Sequence, residues 1–119
     1  MEAYWSNTDP AAAVKDKDGS AHTAINFCSA SVAYNSLVPE QYPGIVADYK
    51  ATFAKAKTLN GDVFLAPHAE QFDLPAKKAR LGQRGPNPFI DRAGYLDIVA
   101  AQEAAFTKAL ADAQAKARP

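Results

Sequence analysis

The sequence predicts an α/β domain, with a few-stranded sheet and helices packed on one or both of its faces. Three observations predict it. From His22 to Cys28 polar and apolar side chains alternate, with Ile25 and Phe27 two apart and Thr23 in step, the period of a half-buried strand. Across Gly44 to Leu59, Ile45, Tyr49, Phe53 and Ala56 recur three or four apart while Lys50, Lys55 and Lys57 lie off that stripe. That is an amphipathic helix. Asp62-Val63-Phe64-Leu65-Ala66 is then a short apolar run between Asn60-Gly61 and Pro67, as expected of a strand buried on both faces of a parallel sheet. Strand, helix, strand in that order is a crossover unit, expected to be right-handed.

The remaining elements follow from local chemistry. Residues 1–21 are an unassigned N-terminal segment. Within it Asp9 suits a helix N-cap and Pro10 a first helical position, so Ala11 to Val14 is expected to form one short helical turn. Lys15 to Ser20 is charged and contains Asp18-Gly19, which favours a hairpin or tight turn. After the first strand, Ser29-Ala30-Ser31 is small and polar where the chain must leave the sheet, and Pro39 and Pro43 bracket an irregular stretch containing Tyr42. Asn60-Gly61 should stop the long helix, both residues tolerating positive φ. A shorter helix is expected over Pro75 to Leu81, then a loop through Gly82, Gly85, Pro86 and Pro88. Asp91 should cap a final helix running to about Lys116, with Leu96, Val99, Glu103, Phe106, Leu110 and Ala113 on one stripe.

Composition narrows the function. With 119 residues, 48% apolar and 22% charged, the chain is globular and sized for one domain or one piece of a larger one. Thirteen basic side chains balance thirteen acidic ones, so the electrostatic footprint of a nucleic-acid binder is missing. No apolar run approaches the roughly 20 residues of a membrane span. Met1 to Ser6 has neither the basic start nor the apolar stretch of a signal peptide, and location is otherwise open. Cys28 is the only cysteine, which excludes an intramolecular disulfide and a cysteine-rich zinc site. Beside Phe27 it is expected to be a buried core thiol.

Chemistry concentrates at one histidine. His68, in Leu65-Ala66-Pro67-His68-Ala69-Glu70, falls just past the C-terminal end of the second strand, where open α/β sheets gather their ligands. A histidine there can ligate a metal or be a hydrogen-bonded loop residue. His22 opens a strand and is expected on the sheet edge. Glu70 and Asp73 flank His68 and could orient it, or be solvated loop carboxylates. No His-x-His-x-Asp-His cluster, His-Glu-x-x-His pair or phosphate loop occurs, and Ser29 and Ser31 lack the elbow pattern of a serine hydrolase. No catalytic residue can be assigned from the residues alone.

From Ile25 onward, over roughly four-fifths of its length by the same spacing, the chain is similar to the third subclass of metallo-β-lactamases. The matching stretches are Phe27 to Asn35, Tyr42 to Lys55, Asp62 to His68 and Pro86 to Asp91. The resemblance implies an αββα sandwich, of which residues 22–119 would be the C-terminal half. It also implies zinc as cofactor, hydrolysis of the β-lactam amide and hence antibiotic resistance, in proteins usually periplasmic or secreted. It places His68 where the family has its last histidine ligand, and Ser29 or Ser31 in the segment that contacts water or substrate. The chain departs from the family as well. The histidine-rich motif is missing, the Gly-His-Ser/Thr-Pro-Gly loop is missing, and His22 lies too close to its strand to replace the latter's histidine. Residues 1–14 match nothing in the family.

Two functional expectations follow. One is a metallo-β-lactamase-related hydrolase fragment whose zinc site is completed by another chain or by recruited residues such as His22, Glu70 and Asp73. The other is a non-catalytic truncated domain that folds by self-association. Either way a homo-oligomer is expected, because Val63-Phe64-Leu65 and the stripe of the final helix offer more apolar surface than so few elements can cover.

Overall fold

The computed structural model describes residues 11–15, 19–27 and 30–118. Strand β1 (Ala11–Lys15) pairs antiparallel with β2 (Ala21–Asn26), Lys15 opposite Ala21 and Ala11 opposite Ile25. The helical turn expected at Ala11 to Val14 is therefore a strand. A segment this short cannot recover the cost of nucleating a helix, whereas pairing with β2 satisfies its backbone along five residues. The hairpin expected at Lys15 to Ser20 forms, with Gly19 in the left-handed region at φ 89°. Asp9, Pro10 and the turn residues 16–18 lie outside the described residues.

Helix α1 (Ile45–Thr58) buries Ile45, Tyr49, Thr52, Phe53 and Ala56, the expected stripe with Thr52 added. Its end differs from expectation. Leu59 is extended rather than left-handed, and neither Asn60 nor Gly61 has positive φ. Gly61 is needed for room instead: a Cβ there would collide with the Ile25 side chain and lie 3.1 Å from the Thr23 carbonyl oxygen. The absence of a side chain lets the chain enter β3 (Val63–Leu65) flush against β2.

β3 runs parallel to β2, with Ala24 opposite Val63, Ile25 opposite Phe64 and Asn26 opposite Leu65. Directly paired residues share a face, so Ile25 and Phe64 point to one side with Phe27 following in step. All three are buried. The second face is less covered than an all-apolar run suggests, since Val63 and Leu65 are only half-buried. The outer edge of β3 is closed by Phe89 and Ile90: the Phe64 amide donates to the Phe89 carbonyl at 3.2 Å, and Ile90 bridges to Val63.

Helix α2 (Leu74–Arg80) follows a single 3₁₀ turn at Ala69–Gln71, and α3 (Arg92–Ala117) closes the fold. Asp91 caps α3 as expected, its carboxylate accepting from the Gly94 amide at 3.0 Å. The buried face of α3 is Tyr95, Val99 and Phe106, whereas Leu96 is exposed and Glu103 reaches Lys57 of α1 at the rim. Val99 and Phe106 are thus buried as expected, while Tyr95 takes the inward place expected of Leu96. Its contacts explain the exchange: the Tyr95 ring packs on Phe27 and Phe64 and its hydroxyl donates to the Ala56 carbonyl of α1 at 2.5 Å. Burial pushes the Tyr95 phenol up to about 12. Phe106 stacks on Tyr49 at 5.0 Å and tilts against Phe53 at 5.8 Å, which locks α3 along α1. Among the described residues beyond Phe106, Ala109 and Leu110 alone pack on the core, and the radius of gyration, 16.8 Å, exceeds the about 13.5 Å of a compact domain this long.

Candidate functional site

Because β2 and β3 are parallel, their C-terminal ends lie side by side, and the Phe27 amide extends the pairing by donating to the Leu65 carbonyl at 2.9 Å. Both sequence-predicted site segments leave from this end. His68 is in the extended backbone after Pro67, and its carbonyl accepts from the Gln71 amide at 3.0 Å to start the 3₁₀ turn. Its side chain is exposed, as a loop histidine at a strand end should be. On the β2 side, the Ala30 amide donates to Gln102 of α3 at 2.6 Å and the Ser31 carbonyl accepts from the Tyr49 hydroxyl at 3.0 Å. Ser31 is therefore held on α1, at the same sheet end as His68. Ser29 and Cys28 lie outside the described residues.

The flanking carboxylates do not close a site around His68. Glu70 is exposed in the 3₁₀ turn, and Asp73 sits at φ 57° before α2, its carbonyl accepting from the Lys77 amide at 3.0 Å. Among the described residues no hydrogen bond or ion pair joins either to His68. Nor do three histidine, cysteine, aspartate or glutamate side chains converge on any point that could hold a metal ion. A catalytic zinc takes three protein ligands within about 2.0–2.3 Å. The described residues alone do not fit one.

His22 cannot be recruited to His68. Ala24 lies opposite Val63, so His22 is level with Gly61, at the other end of the parallel pair. The four steps from Gly61 to Leu65 alone span about 13 Å. His22 instead bonds Asp62 through Nδ1 and Oδ2 at 2.5 Å, while Oδ1 of Asp62 accepts from the Thr23 amide at 2.9 Å. The hydrogen bond from His22 chiefly holds the Asp62 carboxyl below its ordinary range, with the Thr23 amide adding to it. This pair borders two cavities, of about 430 and 490 Å³.

One ionisable group at the core escapes a sequence reading. Lys77, 1% exposed, places its ammonium 2.9 Å from Asp91 and over the Phe64 and Phe72 rings at 5.2 and 5.4 Å. Desolvation pulls the Asp91 carboxyl up, but the Lys77 ammonium and the Gly94 amide outweigh it and hold Asp91 below its ordinary value. The sequence signal is slight: Lys77 lies three residues after half-buried Leu74, on the same face of this short helix.

The arrangement of these strands and helices as a whole is found in solved structures. Against the subclass B3 metallo-β-lactamase of Bradyrhizobium japonicum the chain superposes with a TM-score of 0.81 and 39% identity, covering 91% of this chain and 41% of that one. The chain carries part of the subclass B3 metallo-β-lactamase fold. The HARLDQ-motif metallo-β-lactamase of Cronobacter sakazakii gives 38% identity, a TM-score of 0.74, and coverage of 87% and 39%. A class B3 di-zinc metallo-β-lactamase from an Alaskan soil metagenome gives 26%, 0.71, and 84% and 38%. No family model and no curated protein matches the sequence. The chain thus spans about two-fifths of the length of the metallo-β-lactamases it matches. Among the described residues no helix is long and apolar enough to cross a membrane.

Proposed function

We propose that the chain is the His68-bearing portion of a zinc-dependent β-lactam hydrolase and that the residues described have no β-lactamase activity by themselves. The observation that carries this reading is the placement of His68 at the strand end shared with Ser31, with His22 about 13 Å or more away along the sheet. One histidine cannot hold a catalytic zinc. The remaining ligands come from outside the described residues, and the loop carrying Ser31 then faces the β-lactam. The test is the zinc content of the purified chain and its hydrolysis of a chromogenic β-lactam, alone and after co-folding with the complementary N-terminal portion of the Bradyrhizobium japonicum enzyme. Neither zinc nor turnover is expected from the chain alone. Both should arise on co-folding and be lost with His68→Ala. Turnover by the chain alone, or complemented turnover that survives His68→Ala, overturns the assignment.

A second reading, a non-catalytic domain that self-associates, is favoured by the half-covered Val63 and Leu65, by exposed Leu96, and by the large radius of gyration. A second copy would cover this apolar surface and leave His68 without chemistry. Sedimentation at micromolar concentration tests it: a dimer supports self-association, and a strict monomer of 12.7 kDa rejects it.

A further inference from the structure

The sheet end opposite His68 is built differently, and its chemistry is cationic. A cavity of about 430 Å³ opens between the β1–β2 hairpin and the loop after α2, with Ser20, His22, Arg80, Gln83 and Asn87 in its walls. A neighbouring cavity of about 290 Å³ shares Arg80, Gln83 and Asn87 and adds Arg84 and Asp91. The two are parts of one groove.

Among the described residues, the acidic groups in reach of this groove are already engaged. Asp62 is bonded to His22 and to the Thr23 amide, and Asp91 is paired with buried Lys77 and with the Gly94 amide. The C-terminus of α2, which would otherwise present bare carbonyls, is satisfied as well. The carbonyls of Ala76, Lys78, Ala79 and Arg80 accept from Arg80 Nε, the Leu81 amide, Gln83 Nε2 and the Gln83 amide. Against this, Arg80 and Arg84 have no ion-pair partner among the described residues. The wall that carries them is preformed: Gly82 and Gly85 take φ of 83° and 117°, Pro86 and Pro88 stiffen the loop, and Asn87 accepts from the Phe89 amide at 3.0 Å.

We propose that this groove binds a small oxyanion, a carboxylate or a phosphate, held by the Arg80 and Arg84 guanidinium groups with Ser20 and His22 on the opposite wall. Guanidinium forks match the planar spread of such oxygens and cannot lose their charge. The site is independent of zinc and of the His68 end, so it stands whether or not the chain takes part in β-lactam hydrolysis.

The experiment titrates isotope-labelled full chain with inorganic phosphate and, separately, succinate, each against sodium chloride of equal ionic strength, following backbone amide shifts. Saturation below roughly 10 mM is expected from at least one of the two, with shifts gathered at residues 20–22 and 80–90. The exposed-site double variant Arg80→Gln/Arg84→Gln should weaken it at least about tenfold, while His68→Ala leaves it unchanged. Saturation by phosphate alone, or by succinate alone, identifies which oxyanion the groove prefers and supports the proposal equally. A response no different from chloride, or saturation that survives the double arginine variant, overturns it.

Discussion

The Lys77–Asp91 pair should respond unequally to the loss of its two members, and the inequality can be worked from burial. Lys77 has 1% of its side chain exposed and Asp91 has 31%. Asp91→Asn keeps a competent helix cap but leaves an ammonium buried against Phe64 and Phe72 without a counter-charge. Removing one member of a buried pair typically costs about 3–5 kcal/mol. The ring faces that remain over Nζ, each worth ~0.5–1 kcal/mol, keep the value near the lower bound. Lys77→Met is a different change. It fills the same space with apolar atoms, and the orphaned Asp91 can turn to water and to the Gly94 amide, so the cost should stay within about 1 kcal/mol of zero.

Urea unfolding followed by far-UV circular dichroism at neutral pH measures both variants and the double variant Lys77→Met/Asp91→Asn. The double variant should resemble Lys77→Met alone, because Asp91→Asn is harmful only while the ammonium is present. The coupling energy should then be about 2 kcal/mol or more. If Asp91→Asn costs no more than Lys77→Met, the ammonium is not desolvated as placed, and the argument for a charge under β3 fails.

Four further outcomes test other parts of the structure, three of them here. Phe53→Ala, fully buried between Tyr49 and Phe106, should cost about 3–5 kcal/mol; a loss below about 1 kcal/mol would mean α1 is not packed on α3 this way. Gly61→Ala should destabilise by about 1–3 kcal/mol through collision with Ile25, and pairing it with Ile25→Ala should recover part of that; additive losses would refute the close approach. Asp62 has a depressed folded pKa, so its contribution is present above the unfolded value of about 3.9 and is lost as pH falls through the folded one. Asp62→Asn should therefore flatten the acid limb of the stability curve, and an unchanged slope would show that the His22 contact is not maintained in solution.

The elements were legible where one physical signal dominated. The Ile45–Tyr49–Phe53–Ala56 stripe, the parallel strand before His68 and the Asp91 cap are all present because spacing and capping leave few alternatives. Ala11 to Val14 misled because alanine favours helix locally while the partner strand, ten residues on, decides the outcome. Leu96 and Tyr95 are adjacent on α3, and hydrophobicity alone could not show that the Tyr95 hydroxyl had a carbonyl to meet on α1. Asn60-Gly61 carries a turn signal, yet what the fold needs there is clearance from Ile25, a contact between residues thirty-six apart. At the candidate site, strand direction put His68 past the C-terminal end of β3, where it lies in the fold. The separation of His22 from it required the register of β2 on β3, which no local pattern encodes.

The fourth outcome concerns metal removal, and it follows from what holds His68 in place. In small zinc domains the metal supplies the folding free energy, and chelation unfolds them. Here the strand leading to His68 is fixed from below by other means. Phe64 is buried against Phe72 and Tyr95, Lys77 is seated over both phenylalanine rings, and the Phe89–Ile90 segment closes the β3 edge. None of these contacts involves a candidate ligand, so the loop can keep its position with no metal bound. A ligand that binds only the folded state at a hundred times its Kd stabilises by about 2.7 kcal/mol. For a chain of this size that is a rise in Tm of roughly 5–20 °C. Thermal unfolding of the chain alone should therefore give the same Tm with excess zinc and with excess chelator. A chelator-dependent fall within that range would show that the folded chain holds zinc without outside ligands, and the proposal that other ligands must be supplied would be wrong.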